Sequence, residues 1–370
     1  MNKRRFATAF VIMLTLLGVV HFVTYEAVVS IFLISNTQVV IVLRLIFTLL
    51  ALSFIGSLLI SRAYNSLATR IFTQVSSVWM GFILYLFLAS ALYGIIVGIC
   101  NLFFPDSSTQ IIGEILVAFA VLITLFGIYT ANTIVITKVA VKLKNLPQAW
   151  ENRKIVFISD VHLGQIHGVR FAEKVVRKIQ ELKPDMVLNG GDVFDGVAVN
   201  IEEIIAPFKK LTAPFGSFFV MGNHEEFADN FKYFSAIEDI GIRVLANEKV
   251  VVDGLQIIGV DYKLTNRQAT FKNVLNDIHI DRAQPSLLLK HVPLNLEVAE
   301  KMGISLQLSG HTHRAQVFPF TLMTKSIYKG FDYGLKTFGS LQVLTTSGVG
   351  TWGPPMRVGT KSEIVLITFL

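Results

Sequence analysis

The sequence predicts a layered α/β domain built from two packed sheets, preceded by a bundle of four transmembrane helices. Three observations carry this reading. Four apolar segments, at about 6–34, 39–60, 75–104 and 111–137, each exceed the roughly 20 residues that cross a bilayer as a helix. After Pro147 the pattern changes to short apolar runs alternating with amphipathic stretches. Later strand-like runs have fewer helices between them, which favours two sheets over a single parallel one.

The membrane half accounts for the unusual totals. A mean hydropathy of +0.58 with 16% charged residues is too apolar for an ordinary soluble enzyme, and the excess lies before about residue 138. The first segment follows Lys3, Arg4 and Arg5, but it is too long for a signal-peptide core and three more spans come after it. Loops 35–38 and 101–110 hold no Lys or Arg. The basic residues Arg62, Arg70, Lys138, Lys142 and Lys144 share one side with the N-terminal cluster. Positive charge marks that side as cytoplasmic, so both termini and the soluble domain are expected inside a cell (inner) membrane. Nine of 33 Lys/Arg but only three of 26 Asp/Glu precede residue 150, so the formal +7 is mostly a membrane-flank effect. The nearly neutral remainder argues against a nucleic-acid partner. Cys100 stands alone, which excludes an intramolecular disulfide, and reads as a small buried apolar residue. Glu26 and Arg44 fall at matching depths in spans one and two and are expected to form an ion pair.

The domains are therefore a four-span region at 1–140, a basic juxtamembrane linker at 141–153, and an α/β domain at 154–370. Residues 154–160 read as a strand. Apolar positions 171, 175, 179 and 182 then mark one face of a helix, which Pro184 ends. Strands are expected at 185–192 and 216–224 with a helix near 201–211 between them. A helix near 231–240 precedes strand-like runs at 243–245, 249–252 and 255–261. Helices near 271–278 and 294–302 alternate with strands at 286–291 and 305–310. Two strands, 341–346 and 363–370, close the pattern.

Metal ligands recur at the ends of these strands: Asp160-x-His162, Gly191-Asp192, Gly222-Asn223-His224-Glu225, His291 and Gly310-His311-Thr312-His313. Five of the eight histidines belong to this set, which a scatter of core histidines would not produce. Imidazole, carboxylate and amide donors without thiolates suit two divalent ions, Mn, Fe or Zn, rather than a structural zinc knot. Asp192 is the natural bridge. Two ions held by one carboxylate can ionise a water near neutral pH and clamp the oxygens of an in-line phosphoryl displacement. The glycines before Asp192, Asn223 and His311 permit the sharp turns that aim ligands inward.

Taken in order, these five motifs resemble the calcineurin-like metallophosphoesterase superfamily over residues 154–370. The resemblance implies a four-layer αββα sandwich and a dinuclear centre. By match, Asp160, His162, Asp192 and His313 would hold one metal, and Asp192, Asn223, His291 and His311 the other. His224 would be the general acid that protonates the leaving oxygen. Protein phosphatases of the superfamily carry arginines where this chain has Met221 and the 192–196 run, so a phosphoprotein substrate is not expected. Phe194 stands near the tyrosine ligand of purple acid phosphatases. The closer similarity is to bacterial membrane-associated phosphoesterases, on the 287–293 strand end and the 347–357 tail. That subgroup commonly follows Gly-His-Thr-His with two glycines and Gln, whereas this chain has Arg314-Ala315-Gln316. Arg314 is a candidate phosphate ligand or else a solvated turn residue.

An insert at 317–339 carries six aromatics with Lys325, Lys329 and Lys336. It is expected mainly as core, with contact to membrane lipids as the second reading. His167 and His279 read as surface or loop residues, and Asp195 as a ligand-orienting group or a helix cap. The expected activity is hydrolysis of a phosphodiester or pyrophosphate bond, in a lipid-linked substrate of the UDP-diacylglucosamine type. The alternatives are a phosphodiesterase acting on a soluble substrate such as a cyclic nucleotide, and a membrane metallo-sensor or scaffold without turnover.

Overall fold

The computed structural model describes residues 3–105, 107–227 and 230–370. It divides into two compact units after Tyr129, with Gly353–Met356 grouped with the first and Thr130–Trp352 plus Arg357–Leu370 forming the second.

The first unit holds α1 (Lys3–Ile31), α2 (Thr37–Ala63) and α3 (Leu67–Phe103), which pack on one another, and α4 (Gln110–Asn132), which runs on to Asn132. All four are long and apolar enough to span a membrane. The Asn36 side chain caps α2 by accepting from the Gln38 and Val39 amides. Ser66 and Thr69 form a capping box at α3, satisfying donors that a helix start leaves free. The expected Glu26–Arg44 pair is not formed. Arg44 lies over the Tyr25 ring, 5.4 Å from its centroid, while the Tyr25 hydroxyl donates to the Val40 carbonyl. Tyr25 thus holds the face toward α2, and Glu26, one position further round the helix, is exposed.

α4 stops five residues short of the expected span end, and after Thr133 the chain becomes a strand. In chain order the strands are β1 (Ile134–Val141), β2 (Lys154–Ile158), β3 (Met186–Asn189), β4 (Ser217–Phe219), β5 (Arg243–Val244), β6 (Glu248–Val252), β7 (Leu255–Gly259), β8 (Ser286–Leu289), β9 (Leu306–Ser309), β10 (Gly334–Phe338), β11 (Leu341–Thr345) and β12 (Ser362–Phe369). One sheet runs β1-β12-β2-β3-β4-β5 and the other β10-β11-β9-β8-β7-β6. β1 pairs in parallel with β12 from Ile134↔Ser362 to Val141↔Phe369, so residues expected in a span and a linker are an edge strand of the domain. The reason is local: Ile134-Val-Ile-Thr-Lys-Val-Ala-Val141 is rich in β-branched residues, and that chemistry favours strand over helix.

Alternation along the central strands builds the layers. Ile155 and Phe157 of β2 face a buried cluster with Leu188, Leu287, Leu289, Leu306 and Leu308 between the sheets. Val156 and Ile158 point the other way, onto helices Val169–Glu181 and Asn230–Asp239 through Val175, Ile179 and Ile237. On the far side, Ile258, Leu288 and Val343 pack against Phe271, Leu275, Val298 and Ala299 of helices Gln268–Ile278 and Leu296–Met302. The result is the expected four-layer α-β-β-α sandwich. Phe157 is fully buried at its centre. Its replacement by alanine would cost about 3–5 kcal/mol.

Two further expectations are corrected. His167 is buried, stacked on Phe171 at 4.1 Å and hydrogen-bonded through Nε2 to Thr351 Oγ1 at 2.8 Å, in a tight loop closed by the Gly164 amide donating to the His167 carbonyl at 2.9 Å. The insert divides: Phe331 and Phe338 pack on the core, while Phe318 and Phe320, just before helix Thr321–Ile327, and Leu322, Met323 and Ile327 within it are exposed.

Candidate metal centre

The strands β2, β3, β8 and β9 all deliver their ligands at their carboxyl ends, which the parallel pairing β2–β3 and β8–β9 brings to one edge. Beyond each strand the chain turns sharply. Asp160, His162, Asp192, His311 and His313 all adopt left-handed backbone conformations, with φ between +46° and +67°. Such conformations cost non-glycine residues energy and concentrate at functional sites. Two glycines permit the close approach. A Cβ on Gly222 would collide with the Asp192 carboxylate, and one on Gly310 with Ser159 and Asp160.

The turns converge on three overlapping groups, in which His162, Asp192 and His224 form the link between the other two. Ligand atoms of Asp160, His162 and His313 lie within 4.8 Å of one another, as do those of Asp192, His291 and His311. His162 Nε2 stands 3.0 Å from His313 Nε2, and His313 Nε2 stands 3.5 Å from Asp160 Oδ1. In the second group His291 Nε2 is 3.1 Å from Asp192 Oδ2 and 3.2 Å from Asn223 Oδ1. Seven residues named from the sequence as ligands are therefore brought together.

The donor chemistry fits cations. His291 Nδ1 lies 2.7 Å from the Gly190 carbonyl, which only accepts, so Nδ1 carries the proton and neutral His291 presents a lone pair at Nε2. That lone pair faces two more acceptors, Asp192 Oδ2 and Asn223 Oδ1, an arrangement that needs a proton or a metal ion at its centre. His162 is held likewise, with Nδ1 3.2 Å from Asp195 Oδ1 and Nε2 turned inward. A carboxylate behind a histidine is the usual support for a metal-ligating imidazole. Metal–ligand bonds of about 2.0–2.2 Å place neighbouring donor atoms about 3.0–3.5 Å apart, which matches these spacings.

Electrostatics agree with that geometry. Burial alone would lower the His291 pKa, but the Asp192 carboxylate outweighs it and lifts the ring to about 9. Burial would likewise raise Asp192, yet the His291 and His162 charges hold it far below the usual carboxylate range. Burial, with the His291 charge, pushes His311 down to about 3, leaving a neutral imidazole suited to ligation.

His224 sits at the margin of the centre, its side chain 18% exposed. Its backbone amide donates to Asp192 Oδ1 at 2.9 Å, tying it to that carboxylate. Its Nδ1 is 3.2 Å from the Asp195 carbonyl, which again fixes the proton at Nδ1 and leaves Nε2 free to carry an exchangeable one. Trp352, half-exposed, stands edge-on 6.1 Å away.

Three supporting groups surround these residues, of which the sequence reading weighs only Asp195 as an orienting group. Glu225, fully buried, accepts the amides of Asp192, Phe194 and Gly222, so one carboxylate fixes the turns carrying Asp192 and Asn223. Arg357, also fully buried, donates to the carbonyls of Ser347 and Gly350 and lies 3.5 Å from His313 Nδ1. Asp195 was read as either an orienting group or a cap, and its contacts with His162 and His224 make it the former. The position of Glu225 three residues after Gly222 was the available signal. Arg357, in the tail, gave none. Arg314 lies beside the centre rather than in it, its guanidinium 4.9 Å over the Tyr333 ring.

A family model described as calcineurin-like phosphoesterase matches residues 153–315. An uncharacterised metallophosphoesterase of Helicobacter pylori strain J99 is 33% identical over 221 residues, 59% of this chain and 60% of the relative. One of Aquifex aeolicus is 31% identical over 244 residues, covering 63% of this chain and 90% of that protein. A transmembrane protein with metallophosphoesterase domain of Bos taurus is 30% identical over 248 residues, 62% of this chain and 55% of that protein. The match thus spans about 60% of the Helicobacter relative's length.

Proposed function

The chain belongs to the calcineurin-like phosphoesterase family, and from that premise we propose that it is a membrane-anchored, metal-dependent hydrolase of a phosphodiester or pyrophosphate bond in a lipid-linked substrate. The observation that carries the hydrolytic reading is the pair of convergent donor groups around Asp192, with His224 at their open margin. Asp160, His162, Asp192 and His313 would hold one divalent ion, and Asp192, Asn223, His291 and His311 the other. Bound there, the ions supply Lewis acidity that activates water and offsets charge on the phosphoryl oxygens.

The protein's own groups do the rest. Asp195 and the Gly190 carbonyl fix the tautomers of His162 and His291, and Glu225 holds the Asp192 and Asn223 turns. His224, its Nδ1 proton anchored on the Asp195 carbonyl, carries a proton at Nε2 when charged and gives it to the leaving oxygen. General acid catalysis of this kind is worth about 10²–10⁴-fold.

Two features favour a lipid-linked substrate. The chain carries four helices fit to span a membrane. The domain also exposes Phe318, Phe320, Leu322, Met323 and Ile327 beside Lys325 and Lys329, a face suited to acyl chains and anionic headgroups. On the basic-residue distribution we place the domain on the cytoplasmic side of the cell membrane. The test is hydrolysis of bis-p-nitrophenyl phosphate, p-nitrophenyl phosphate and UDP-diacylglucosamine by the Mn-loaded full chain, comparing Asp192→Asn and His224→Ala. Turnover of the lipid, lost in Asp192→Asn, supports the reading. Turnover of the simple diester alone moves the substrate to the soluble class.

A further inference from the structure

The run that follows the last two ligands is unusual in its backbone. His313, Arg314, Ala315 and Gln316 have φ of +46°, +50°, +56° and +62°, four successive non-glycine residues in the left-handed region. Glycine would hold that shape without steric cost, so an arginine there is maintained against the local backbone preference. Its side chain explains why. Among the described residues the Arg314 guanidinium makes no hydrogen bond and no ion pair. It lies over the Tyr333 ring, 4.9 Å from the centroid, which leaves the planar fork of donors without a hydrogen-bond acceptor among the described residues.

Arg314 lines a cavity of about 220 Å³ together with Tyr333, Ser347, Gly359, Thr360 and Lys361. The nearby negative charge is already matched. The Glu363 carboxylate accepts from Thr137, Tyr333, Thr346 and the Ser347 amide, and lies 3.4 Å from Lys361 Nζ. The cavity therefore presents one unmatched cation, the Arg314 guanidinium, one residue along the chain from His313, while Lys361 lies against Glu363.

We propose that this cavity is an anion subsite for a second phosphate of the substrate, the one not cleaved, with Arg314 as its principal ligand. A planar guanidinium takes a phosphate through two parallel hydrogen bonds, a match that a lysine does not reproduce. The subsite selects pyrophosphate-bearing substrates over simple diesters. It rests on the hydrolytic reading above and names the substrate class for it.

The test is calorimetric titration of the metal-chelated full chain with inorganic pyrophosphate and with inorganic phosphate, for wild type, Arg314→Gly and Arg314→Lys. Wild type is expected to bind pyrophosphate saturably, Arg314→Gly about tenfold to a hundredfold more weakly, and Arg314→Lys between them. Because glycine relieves the left-handed strain, Arg314→Gly should melt no lower than wild type while binding is lost, whereas a merely structural arginine would lower the melting temperature when removed. With Mn restored, the ratio of KM for UDP-diacylglucosamine to KM for bis-p-nitrophenyl phosphate should rise by a similar factor. Absence of pyrophosphate binding to wild type, or equal binding by Arg314→Gly, overturns the proposal. Equal affinity for phosphate and pyrophosphate with an unchanged KM ratio assigns the cavity to a free anion and overturns the substrate role. The titration needs no turnover, so failure of the hydrolytic reading, seen as no activity at full metal occupancy, is distinguishable from failure of the subsite.

Discussion

Replacing Glu225 by Gln tests the claim that one buried carboxylate holds the centre's turns. In the native arrangement Oε2 accepts from the Asp192 amide at 3.0 Å and the Gly222 amide at 2.9 Å, and Oε1 accepts from the Phe194 amide at 2.9 Å. Glutamine keeps only one acceptor oxygen. In its better orientation two of the three bonds survive as neutral ones, and the side-chain NH₂ confronts the Phe194 N–H donor to donor. A lost charge-assisted bond costs about 1.5–3 kcal/mol, and weakening the other two brings the total to about 3–5 kcal/mol. For a domain of this size that corresponds to a fall of about 10 °C in melting temperature. The turn at Asp192 should loosen with it and lower metal affinity by about 10–100-fold, the usual effect of losing a ligand's support. Scanning calorimetry on the full chain, with metal content by mass spectrometry after dialysis, reads both quantities. A variant melting within about 2 °C of wild type and retaining its full metal complement would refute the reasoning.

Three other outcomes are expected. Between pH 6 and 9 the Mn dissociation constant should fall about tenfold per pH unit, because a metal must displace the proton that Asp192 holds on His291 up to about pH 9; titration with a fluorescent competitor measures it, and a flat profile would contradict a proton on His291 Nε2 in the metal-free chain. His224→Ala should lower kcat by about 10²–10⁴-fold on esters with poor leaving groups and far less on p-nitrophenyl esters, whose leaving oxygen needs no proton. His167, pushed down to about 3 by burial, is neutral in the folded chain, while the unfolded chain protonates it below about pH 6.5. Its contribution is therefore full above pH 6.5 and is lost as pH falls from 6.5 toward 3, at about 1.4 kcal/mol per pH unit. His167→Gln should flatten that slope in denaturant titrations at stepped pH.

The candidate ligands were legible because each follows a short apolar run that reads as a buried strand, so their positions at strand ends were implied by the sequence itself. The support around them was not. Glu225 looked like the end of a motif, and its three amide partners lie up to 33 residues away in the chain. His167 sits in a polar stretch between Gly164 and Gly168 that gives no hint of burial, which arises only from Thr351 and Phe171. β1 was hidden for a different reason. Its apolar residues continue those of α4 without a charged break before Lys138, so hydropathy alone could not separate membrane helix from edge strand. Phe318 and Phe320 misled in the opposite sense, since aromatic residues are usually core; the interleaved Lys325 and Lys329 were the mark of the surface they occupy.

The pairing of β1 with β12 also sets a timetable. β1 leaves the ribosome directly after the fourth helix, yet Ile134 finds its partner Ser362 only when the chain is 228 residues longer. At ordinary synthesis rates this β-branched strand waits about 10–50 s with both edges unpaired. β12 lies between β1 and β2, so the sheet closes only once residue 369 has been made. The four apolar helices are thus complete before the first sheet can close, and a chain interrupted before β12 would carry them with that sheet still open.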